Sequence, residues 1–496
     1  MKSVTSKPDK DLDKAHWFSP DLFADSKGLR PAANDLLERL YKHSKPKRKH
    51  LAKHLPQLEI LILNLIKASE IKNGFMAVSL GSTPYSGEVV SYRVLVRHHL
   101  NTLFDMNWLT LHKGYRAFTK PEESEDESDD SIRKSRRSRV EINKPLLKWL
   151  EQLSVGAKEI DRSAPKKVLV LKDSNKNVIE LNETQKPEAE SLSKSTHAIN
   201  EHLEKTFIDL FLNDYELEEL GERMTEKAKE NPLQHFHLDL TAKYLKRIFN
   251  NSSLRDGGRF YGSWWQSVPS EYRQYISMNG DYVVELDYSS IHIHLLYAQI
   301  QQQSFMEDHY VFGKLSEQWR PMTKKMVNIL INAGTRTSAV KAANTQQLFS
   351  SGLPDGISSV DQYIDEIYFH HDAIRSFFGT GYGVKLQLLD SQIAEAVMLR
   401  MLPESCLSVH DSFIVRASQR QRLEQIMNEE FQAATGSEAG IKAKVLELSD
   451  ARKSVVEELI EDELSSYSTR LRQWRLKHHW EYFTDGGAGT DLPLTI

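Results

Sequence analysis

The sequence has almost no cysteine, since Cys406 is the single one in 496 residues. One cysteine excludes an internal disulfide and any zinc site built from several thiolates. Long apolar runs are missing too, because the longest, residues 58–66, is far shorter than the ~20 residues that a membrane-spanning helix needs. No charged, apolar and small-residue succession typical of a secretory signal opens the chain. We therefore expect a cytoplasmic protein without a membrane partner.

The chain as a whole also lacks a large net charge, but its positive and negative residues are unevenly distributed along the sequence. The chain is 40% hydrophobic and 27% charged, which is typical of a globular protein, and its length predicts several domains. Residues 1–120 hold 20 Lys or Arg against 11 Asp or Glu, which gives a net charge of +9. Because the whole chain has a net charge of −4, the remaining residues carry −13. A basic end favours a polyanionic partner such as nucleic acid, and a merely solvated basic surface is the alternative.

The basic N-terminal domain, residues 1–120, is predicted to be mainly helical. Its first apolar stretch predicts a buried helix, and residues 91–104 predict a second helix with Arg93, Arg97 and His98 facing outward. The stretch that follows predicts a short hairpin with Lys-Gly at its tip. A helix, a turn, a basic helix and a hairpin resemble a winged helix-turn-helix domain, whose second helix reads a DNA groove. An unspecified helical domain is the alternative.

The rest of the chain divides by composition. An acidic run followed by a basic run, with no apolar residue in 121–131, predicts a solvated linker. Aromatic and basic residues interleave in 470–483, which suits either single-stranded nucleic acid or a packed terminal helix. The predicted units are the charged linker (121–140), a connecting region with a β-hairpin (141–195), a helical region (196–250), a region that carries the chemical motifs (251–450) and a helical tail (451–496).

Two carboxylates stand at the ends of predicted strands. Asp287 follows an apolar, β-branched run, and Asp411 lies in a polar turn between two further apolar runs. Paired strands would present both acids at one sheet edge, where two carboxylates repel unless a cation lies between them. Oxygen ligands suit Mg²⁺, and two such ions serve phosphoryl transfer. Taken singly, each aspartate is more simply explained as a cap or turn residue.

A helix with a cationic start is predicted over residues 320–334, with proline in its first turn and glycine past its end. Four polar residues recur at every fourth position and therefore share one stripe: Arg320, Lys324, Asn328 and Asn332. A cation at the N-terminal end of a helix is poorly placed for stability and well placed for a polyphosphate. A solvated basic helix start is the alternative.

In chain order the sequence offers Gly-Arg, Gln-x-x-Pro, a strand followed by Asp-Tyr-Ser, Arg-x-x-x-Lys on a helix, and His-Asp-Ser between strands. This order resembles the family A (DNA polymerase I-like) DNA polymerases and the related single-subunit phage-type RNA polymerases. The resemblance covers about residues 195–450 and consists of short motifs. It implies an α+β multidomain fold with a right-hand arrangement, in which 196–250 are thumb-like and 251–450 form a palm with compact fingers.

The resemblance implies a role for each motif residue. Asp287 and Asp411 would bind two Mg²⁺ ions, or Mn²⁺, together with the carbonyl of Tyr288. Lys324 would contact the incoming triphosphate and protonate the leaving pyrophosphate, and Arg320 would help to neutralise it. The implied nucleic-acid contacts are Arg259, Gln266, Arg273 and His410 in this region, besides Arg93 and Arg97 of the N-terminal domain.

Departures from the family pattern leave two points open. The family helix ends in Tyr-Gly, eight and nine residues after its lysine. The corresponding pair is Asn332-Ala when counted from Lys324, and Ala-Gly when counted from Lys325. Either lysine can therefore be the catalytic one. The glutamate that excludes ribose in DNA-making members corresponds to His292, and the residue after the second aspartate is Ser412. His292 and Asn332 are therefore candidate substrate contacts, and the preferred sugar is open.

The sequence thus predicts a template-directed nucleotidyltransferase, in first place a DNA-directed DNA polymerase of a phage or mobile element. Its expected partners are a DNA or RNA template with primer, nucleoside triphosphates and other replication proteins. One alternative is a primase or single-subunit RNA polymerase that uses NTPs. The second is a non-catalytic DNA-binding replication initiator or regulator, against which the presence of both Asp287 and Asp411 argues.

Overall fold

The computed structural model has a mixed α/β architecture with several small sheets. No helix in the part of the chain that the structure describes is long and apolar enough to cross a membrane. The described residues are 15–44, 51–71, 74–81, 90–114, 138–230, 238–304, 306, 308–438, 440–445, 448, 450–462 and 465–478.

The N-terminal unit combines helices with a four-stranded sheet of order β1-β3-β5-β4. Its elements are β1 (His16–Trp17), β2 (Leu22–Ala24), α1 (Leu29–Ser44), α2 (Leu51–Glu70), β3 (Phe75–Val78), α3 (Tyr92–Val94), the π-helical turn Leu95–Leu100, α4 (Asn101–Asp105), β4 (Leu109–His112), β5 (Ser138–Ile142), α5 (Lys144–Leu150) and β6 (Ile160–Arg162). The apolar run predicted as a buried helix lies within α2, and Leu58, Leu61 and Leu65 are fully buried there. The unit is therefore less purely helical than its sequence predicts.

The boundary of this unit differs from the one that composition predicts. Strand β4 pairs with β5 in antiparallel fashion, with Leu111 opposite Val140. The expected hairpin within 108–118 is therefore absent from the described residues, and the partner strand comes from beyond the charged segment. Because β5 also pairs with β3, and because Trp149 and Ile160 belong to the same apolar core, the unit continues past residue 140. Most of the predicted linker 121–140, namely residues 121–137, lies outside the described residues.

The remaining chain forms the body of the molecule around one large apolar core. Its elements are β7 (Leu169–Lys172), β8 (Val178–Ile179), α6 (Lys186–Glu204), β9 (Ile208–Leu210), α7 (Asp214–Glu230), β10 (Lys246–Asn250), β11 (Ser253–Tyr261), β12 (Ile276–Met278), β13 (Val283–Tyr288), α8 (Ile291–Gln299), α9 (Arg320–Asn332), α10 (Arg336–Thr345), α11 (Val360–His370), α12 (Gly383–Met401), β14 (Leu407–Val409), β15 (Ser412–Arg416), α13 (Arg420–Thr435), β16 (Ile441–Val445), α14 (Asp450–Glu461) and α15 (Ser466–Lys477).

Two sheets of this body position the candidate site. The first has the order β14-β15-β13-β16, with each neighbouring pair antiparallel. Leu286 on β13 stands opposite Phe413 on β15, and both side chains are buried. The second has the order β11-β10-β7-β8 and packs through β11 against the long helix α12. The β7–β8 pair is the hairpin expected in 141–195.

The region 196–250 is less helical than predicted. Helix α6 ends at Glu204, and strands β9 and β10 follow at either side of α7. Strand β9 pairs with β12, and β10 pairs with both β7 and β11. The apolar residues of this region therefore belong partly to helices and partly to buried strands. Short apolar runs alone do not distinguish these two kinds of element.

The described part of the C-terminal tail is a packed helix. Tyr467 and Leu471 of α15 are buried against Phe207 and Phe211. The Tyr467 hydroxyl lies 2.7 Å from the hydroxyl of Ser277. The aromatic and basic segment 470–483 is predicted either to bind single-stranded nucleic acid or to pack as a terminal helix. Its residues up to 477 belong to the packed helix α15, and residues 479–483 lie outside the described residues.

Candidate active site

The edge where β13 and β15 meet brings the two predicted carboxylates together. Asp287 on β13 stands opposite Ser412, and the backbone N–H of Tyr288 donates to the carbonyl of Asp411 at 3.2 Å. Asp411 lies in the two-residue turn His410-Asp411 between β14 and β15. His410 has φ of 60°, a left-handed conformation that is uncommon for residues other than glycine. Such strain persists where the surrounding structure enforces it, and it is concentrated at functional sites.

Asp287 lies in an environment that opposes its negative charge. Its side chain is 16% exposed, and burial together with the charge of Asp411 raises its pKa to about 6. The positive charges of Lys444 and Lys324 act in the opposite direction but do not offset these two effects. The two aspartates therefore form an electrostatically coupled pair at this edge.

Lys444 is the closest cation to this pair among the described contacts, and the sequence motifs do not include it. Its Nζ lies 2.7 Å from Asp287 Oδ1. Strand β16 pairs Leu286 with Ala443 and Glu285 with Val445, so Lys444 stands at a register shift of the β13–β16 pair. Irregularities of this kind re-aim side chains and are common beside active sites. The signal in the sequence is the Lys-Ala-Lys alternation of β16, which by itself predicts only a half-exposed strand.

Lys324 belongs to the polar stripe of helix α9, and its side chain is exposed. Its positive charge lowers the pKa of Asp287, so the two groups interact electrostatically. Lys325 is also exposed, but it is one position further round the helix. Arg320 donates to Asp308 Oδ2 at 2.7 Å, so part of its charge is already neutralised. Asn332 donates to the Asn328 carbonyl at 2.8 Å at the far end of the stripe.

Arg259 is fixed by a buried carboxylate that the motifs do not reveal. Its Nε lies 3.0 Å from Asp390 Oδ2, and its Nη2 lies 3.0 Å from His292 Nε2. His292 Nε2 is in turn 2.9 Å from the same Asp390 oxygen. Asp390 is 1% exposed and comes from α12, so it holds β11 and α8 to that helix. Arg259 keeps 16% of its side chain exposed.

Two residues predicted to contact nucleic acid have structural partners instead. Arg273 is 9% exposed and forms an ion pair with the buried Glu285 at 3.2 Å. Glu285 also accepts a hydrogen bond from Ser412 at 2.7 Å. The Gln266 side-chain amide donates to the carbonyls of Phe260 and Ser408, at 3.0 and 3.1 Å. Both side chains therefore make structural contacts, Arg273 with β13 and Gln266 with the main chain of β11 and β14.

Tyr288 and His410 flank the carboxylates in different ways. The Tyr288 hydroxyl donates to the Met427 carbonyl at 2.6 Å, so its side chain lies in the core and its main chain alone lies at the site. His410 packs against Tyr261 with ring centroids 5.4 Å apart. Burial lowers the His410 pKa, and its Nδ1 atom has no partner among the described residues. This half-buried imidazole is therefore available to a ligand at the turn.

The donor set at this edge fits a divalent cation. A carboxyl whose pKa is raised by a second carboxyl gains most when a cation binds to both, and the Lys444 ammonium already occupies that role at Asp287. Hard oxygen ligands of this kind suit Mg²⁺ or Mn²⁺. The residues that would hold such an ion are Asp287 and Asp411, with the Tyr288 carbonyl beside them.

Arg93 and Arg97 lie in the N-terminal unit. Both side chains are exposed on the helical segment 92–105, as the sequence predicts. His98, which the same pattern places outward, has both ring nitrogens shielded from solvent. The apolar periodicity misplaces His98 because this segment winds as a π-helix from residue 95 to residue 100, which shifts the face of the side chains that follow.

Comparison with known proteins gives little support of its own. No protein-family model and no curated protein matches the chain. Among solved structures, the POL domain of Pol1 from M. smegmatis, in complex with DNA primer-template and dNTP, is similar at 12% identity with a TM-score of 0.30. The match covers 45% of this chain and 50% of that chain.

Proposed function

We propose that the protein is a template-directed nucleotidyltransferase, in first place a DNA-directed DNA polymerase of a phage or mobile element. One observation carries the proposal: Asp287 at the end of β13 and Asp411 in the adjoining β14–β15 turn are electrostatically coupled, and the positive charge of Lys324 on α9 acts on Asp287. Two acids and a cation around one edge are the groups that in-line phosphoryl transfer needs, because its catalysis consists mainly of positioning and charge neutralisation. The order of the motifs along the chain supports the same assignment.

Each residue has a definite task in this mechanism. When bound at Asp287 and Asp411, Mg²⁺ supplies charge neutralisation for the attacking and leaving oxygens. Lys324 binds the triphosphate and donates a proton to the leaving pyrophosphate, and the N-terminal end of α9 adds its partial positive charge. Arg259, oriented by Asp390, contacts a backbone phosphate of the nucleic acid with the exposed part of its guanidinium.

Use of NTPs by a primase or RNA polymerase is the second candidate, and a specific observation favours it. His292, at the position of the glutamate that excludes ribose, is held by Arg259 and Asp390 and supplies no carboxylate there. Ser412, which follows the second aspartate, donates to the buried Glu285 and braces the strand. Neither residue discriminates against a 2′-hydroxyl in the way that the gate glutamate does.

The N-terminal unit is proposed to load the enzyme on DNA. Supporting this role, α2, β3, the segment 92–105, β4 and β5 follow one another in the helix–strand–helix–strand–strand order of a winged helix, and β5 lies between β3 and β4. The exposed Arg93 and Arg97 supply the positive charge that phosphate contacts require. The second helix would then lie in a DNA groove.

A primer-extension assay with full-length protein tests the proposal. Mg²⁺ and a primed DNA template are supplied with dNTPs, with NTPs, or with NTPs and no primer. Extension with dNTPs that is lost in Asp411→Asn supports a DNA polymerase, whereas unprimed NTP products assign a primase or RNA polymerase. DNA binding without synthesis in any lane, with Mg²⁺ or Mn²⁺, contradicts the proposal and leaves a DNA-binding replication factor.

A further inference from the structure

Three histidines of the N-terminal unit meet at one point, and none of them has a role in the function proposed above. His54 lies on α2, and His98 and His99 lie in the π-helical turn Leu95–Leu100. The ring centroids are 4.8 Å apart for His54 and His98, 5.1 Å for His54 and His99, and 5.4 Å for the adjacent pair. One ring nitrogen from each side chain lies within 4.8 Å of the other two.

Hydrogen bonding does not account for this cluster. His54 Nδ1 and His99 Nε2 are 3.0 Å apart and share one hydrogen bond. Both ring nitrogens of His98 and Nδ1 of His99 are shielded from solvent and have no partner among the described residues. Buried polar groups are almost always paired, so these three unpaired nitrogens of His98 and His99 indicate a ligand at the cluster.

The backbone is arranged to bring the adjacent histidines to the same place. Residues 95–100 form a π-helical turn, which inserts one residue into the helix and rotates the side chains that follow. As a result, His99 is fully buried against α2, and His98 has its nitrogens covered although the apolar pattern places it outward. Single π-turns inside helices are rare and occur frequently at functional sites.

We propose that His54, His98 and His99 bind one divalent transition-metal ion of the zinc class. Zinc–nitrogen bonds of about 2.0–2.1 Å in tetrahedral geometry require ligand nitrogens roughly 3.3 Å apart. The 3.0 Å separation of His54 Nδ1 and His99 Nε2 is close to this value, and one ring nitrogen of His98 lies within 4.8 Å of the other two ligand atoms. Imidazole suits Zn²⁺ and its neighbours in the first transition row, whereas the carboxylates near Asp287 suit Mg²⁺. Three nitrogen ligands leave one position for water.

Burial also keeps the rings in the form that binds metal. Burial lowers the pKa of His98 and that of His99, which favours the neutral imidazole. The ion would cross-link α2 to the helical segment 92–105, which also pack together in one apolar core. Gln57 of α2 accepts a hydrogen bond at 2.8 Å from the N–H of Ser91, the residue before that segment. Its expected effect is therefore on the stability of the N-terminal unit.

Metal binding is tested on the full-length chain without a histidine tag, stripped with EDTA and returned to excess Mg²⁺ to occupy the carboxylates. Titration with Co²⁺ is followed by visible absorption, because nitrogen-ligated tetrahedral Co²⁺ absorbs far more strongly than Co²⁺ bound to octahedral oxygen ligands. We expect one equivalent of tetrahedral Co²⁺ that Zn²⁺ displaces. In His98→Asn the affinity should fall by more than about 100-fold, beyond the 10- to 100-fold lost with an outer hydrogen-bond partner.

A matched control separates this site from histidines in general. His43, exposed on α1 of the same unit, should give a His43→Asn variant with unchanged Co²⁺ binding. Zn²⁺ should raise the Tm of wild type and of His43→Asn, but not that of His98→Asn. If His98→Asn does not fold, the wild-type melt in Zn²⁺ against EDTA decides. An unchanged wild-type Tm, the absence of a tetrahedral Co²⁺ band, or full binding by His98→Asn overturns the proposal.

Discussion

At the scale of single residues, the site depends on two carboxylates that the fold holds close together although their negative charges repel each other. Asp287 is held beside Asp411, and the price of that placement is a carboxyl whose pKa is raised to about 6. Lys444 and Lys324 offset part of the repulsion. A site of this kind is weakly stable alone and gains from a cation, which is the behaviour expected of a metal-binding pair.

Replacing Asp287 with asparagine should stabilise the metal-free protein at high pH. Because the folded-state pKa of about 6 lies above the unfolded value near 3.8, the folded protein binds more protons between these two pH values, and its stability falls as pH rises from about 4 to about 6 and is then constant. The full loss is about 3 kcal/mol at 1.36 kcal/mol per pKa unit. Urea unfolding in EDTA should therefore show Asp287→Asn more stable than wild type by up to about 3 kcal/mol at pH 8 and by roughly half as much at pH 5.

The control for this comparison is Asp281→Asn. Asp281 is 57% exposed beside the same sheet and should change stability little at either pH. Equal stability of Asp287→Asn and wild type at pH 8 would show that the ionised pair is not strained. In that case Mg²⁺ would also fail to stabilise wild type selectively.

Lys324 and Lys325 form a natural matched pair for catalysis. The positive charge of Lys324 acts on Asp287, and Lys325 is its exposed neighbour. Lys324→Ala should lower kcat by roughly 10²- to 10⁴-fold, the contribution of a positioned proton donor. Lys325→Ala should retain kcat within a few-fold. Single-turnover nucleotide incorporation measures both, and the reverse ranking would assign the catalytic role to Lys325.

At the scale of elements, the sequence predicts the parts of the site and not their connections. Strand β13 and the β14–β15 hairpin follow from apolar runs that end in polar residues, and α9 follows from its four-residue spacing. Asp390 was not predictable, because its partner Arg259 is 131 residues away and a single acid on an apolar helix carries no local signal. The β4–β5 pairing was missed for the same reason, since the charged segment separates the two strands.

The junction of β11 with α12 requires glycine at position 258. Gly258 has φ of +83°, and a Cβ there would lie 2.8 Å from Phe249 Cε1 and 3.1 Å from Ser391 Oγ. Left-handed strain alone costs about 1–3 kcal/mol, so Gly258→Ala should lower the free energy of unfolding by at least that amount. It should also lower activity, because Arg259 is the next residue. Chemical denaturation and primer extension are the two measurements.

Gly221 provides the matched control for this substitution. It lies inside α7, and a Cβ there would meet no described atom within 4 Å. Gly221→Ala should therefore stabilise the protein by about 0.5–1 kcal/mol, the helix propensity difference between the residues. A destabilised Gly221→Ala variant, or a neutral Gly258→Ala variant, would contradict this description of the β11–α12 junction.

At the scale of the whole molecule, DNA loading and catalysis are proposed to belong to different parts of the chain. Loading is assigned to the N-terminal unit with its exposed Arg93 and Arg97, and chemistry to the sheet edge of the body. The two roles should therefore respond to different mutations. The charge asymmetry along the sequence predicts this division, although the boundary between the parts lies further along the chain than composition indicates.

The salt dependence of DNA binding tests the assignment of loading. Each phosphate contact that is lost lowers the slope of log K against log salt by about 0.9 for duplex DNA. Arg93→Ala and Arg97→Ala together should therefore reduce the slope by nearly 2, without a change in single-turnover chemistry on saturating DNA. Lys42→Ala, an exposed cation on α1, is the control. An equal change of slope in Lys42→Ala would show that the arginines hold no special position.

The most direct test of the central claim is the Mg²⁺-dependent rate of adding one nucleotide to a primed template at saturating substrate. It compares wild type with Asp411→Asn and with Asp281→Asn, a control in an exposed ion pair outside the site. We predict that wild type and Asp281→Asn incorporate at equal rates, and that Asp411→Asn loses at least about 10³-fold while it still binds DNA. Equal rates in all three proteins, or no incorporation by any, would contradict the assignment of Asp287 and Asp411 as the catalytic pair.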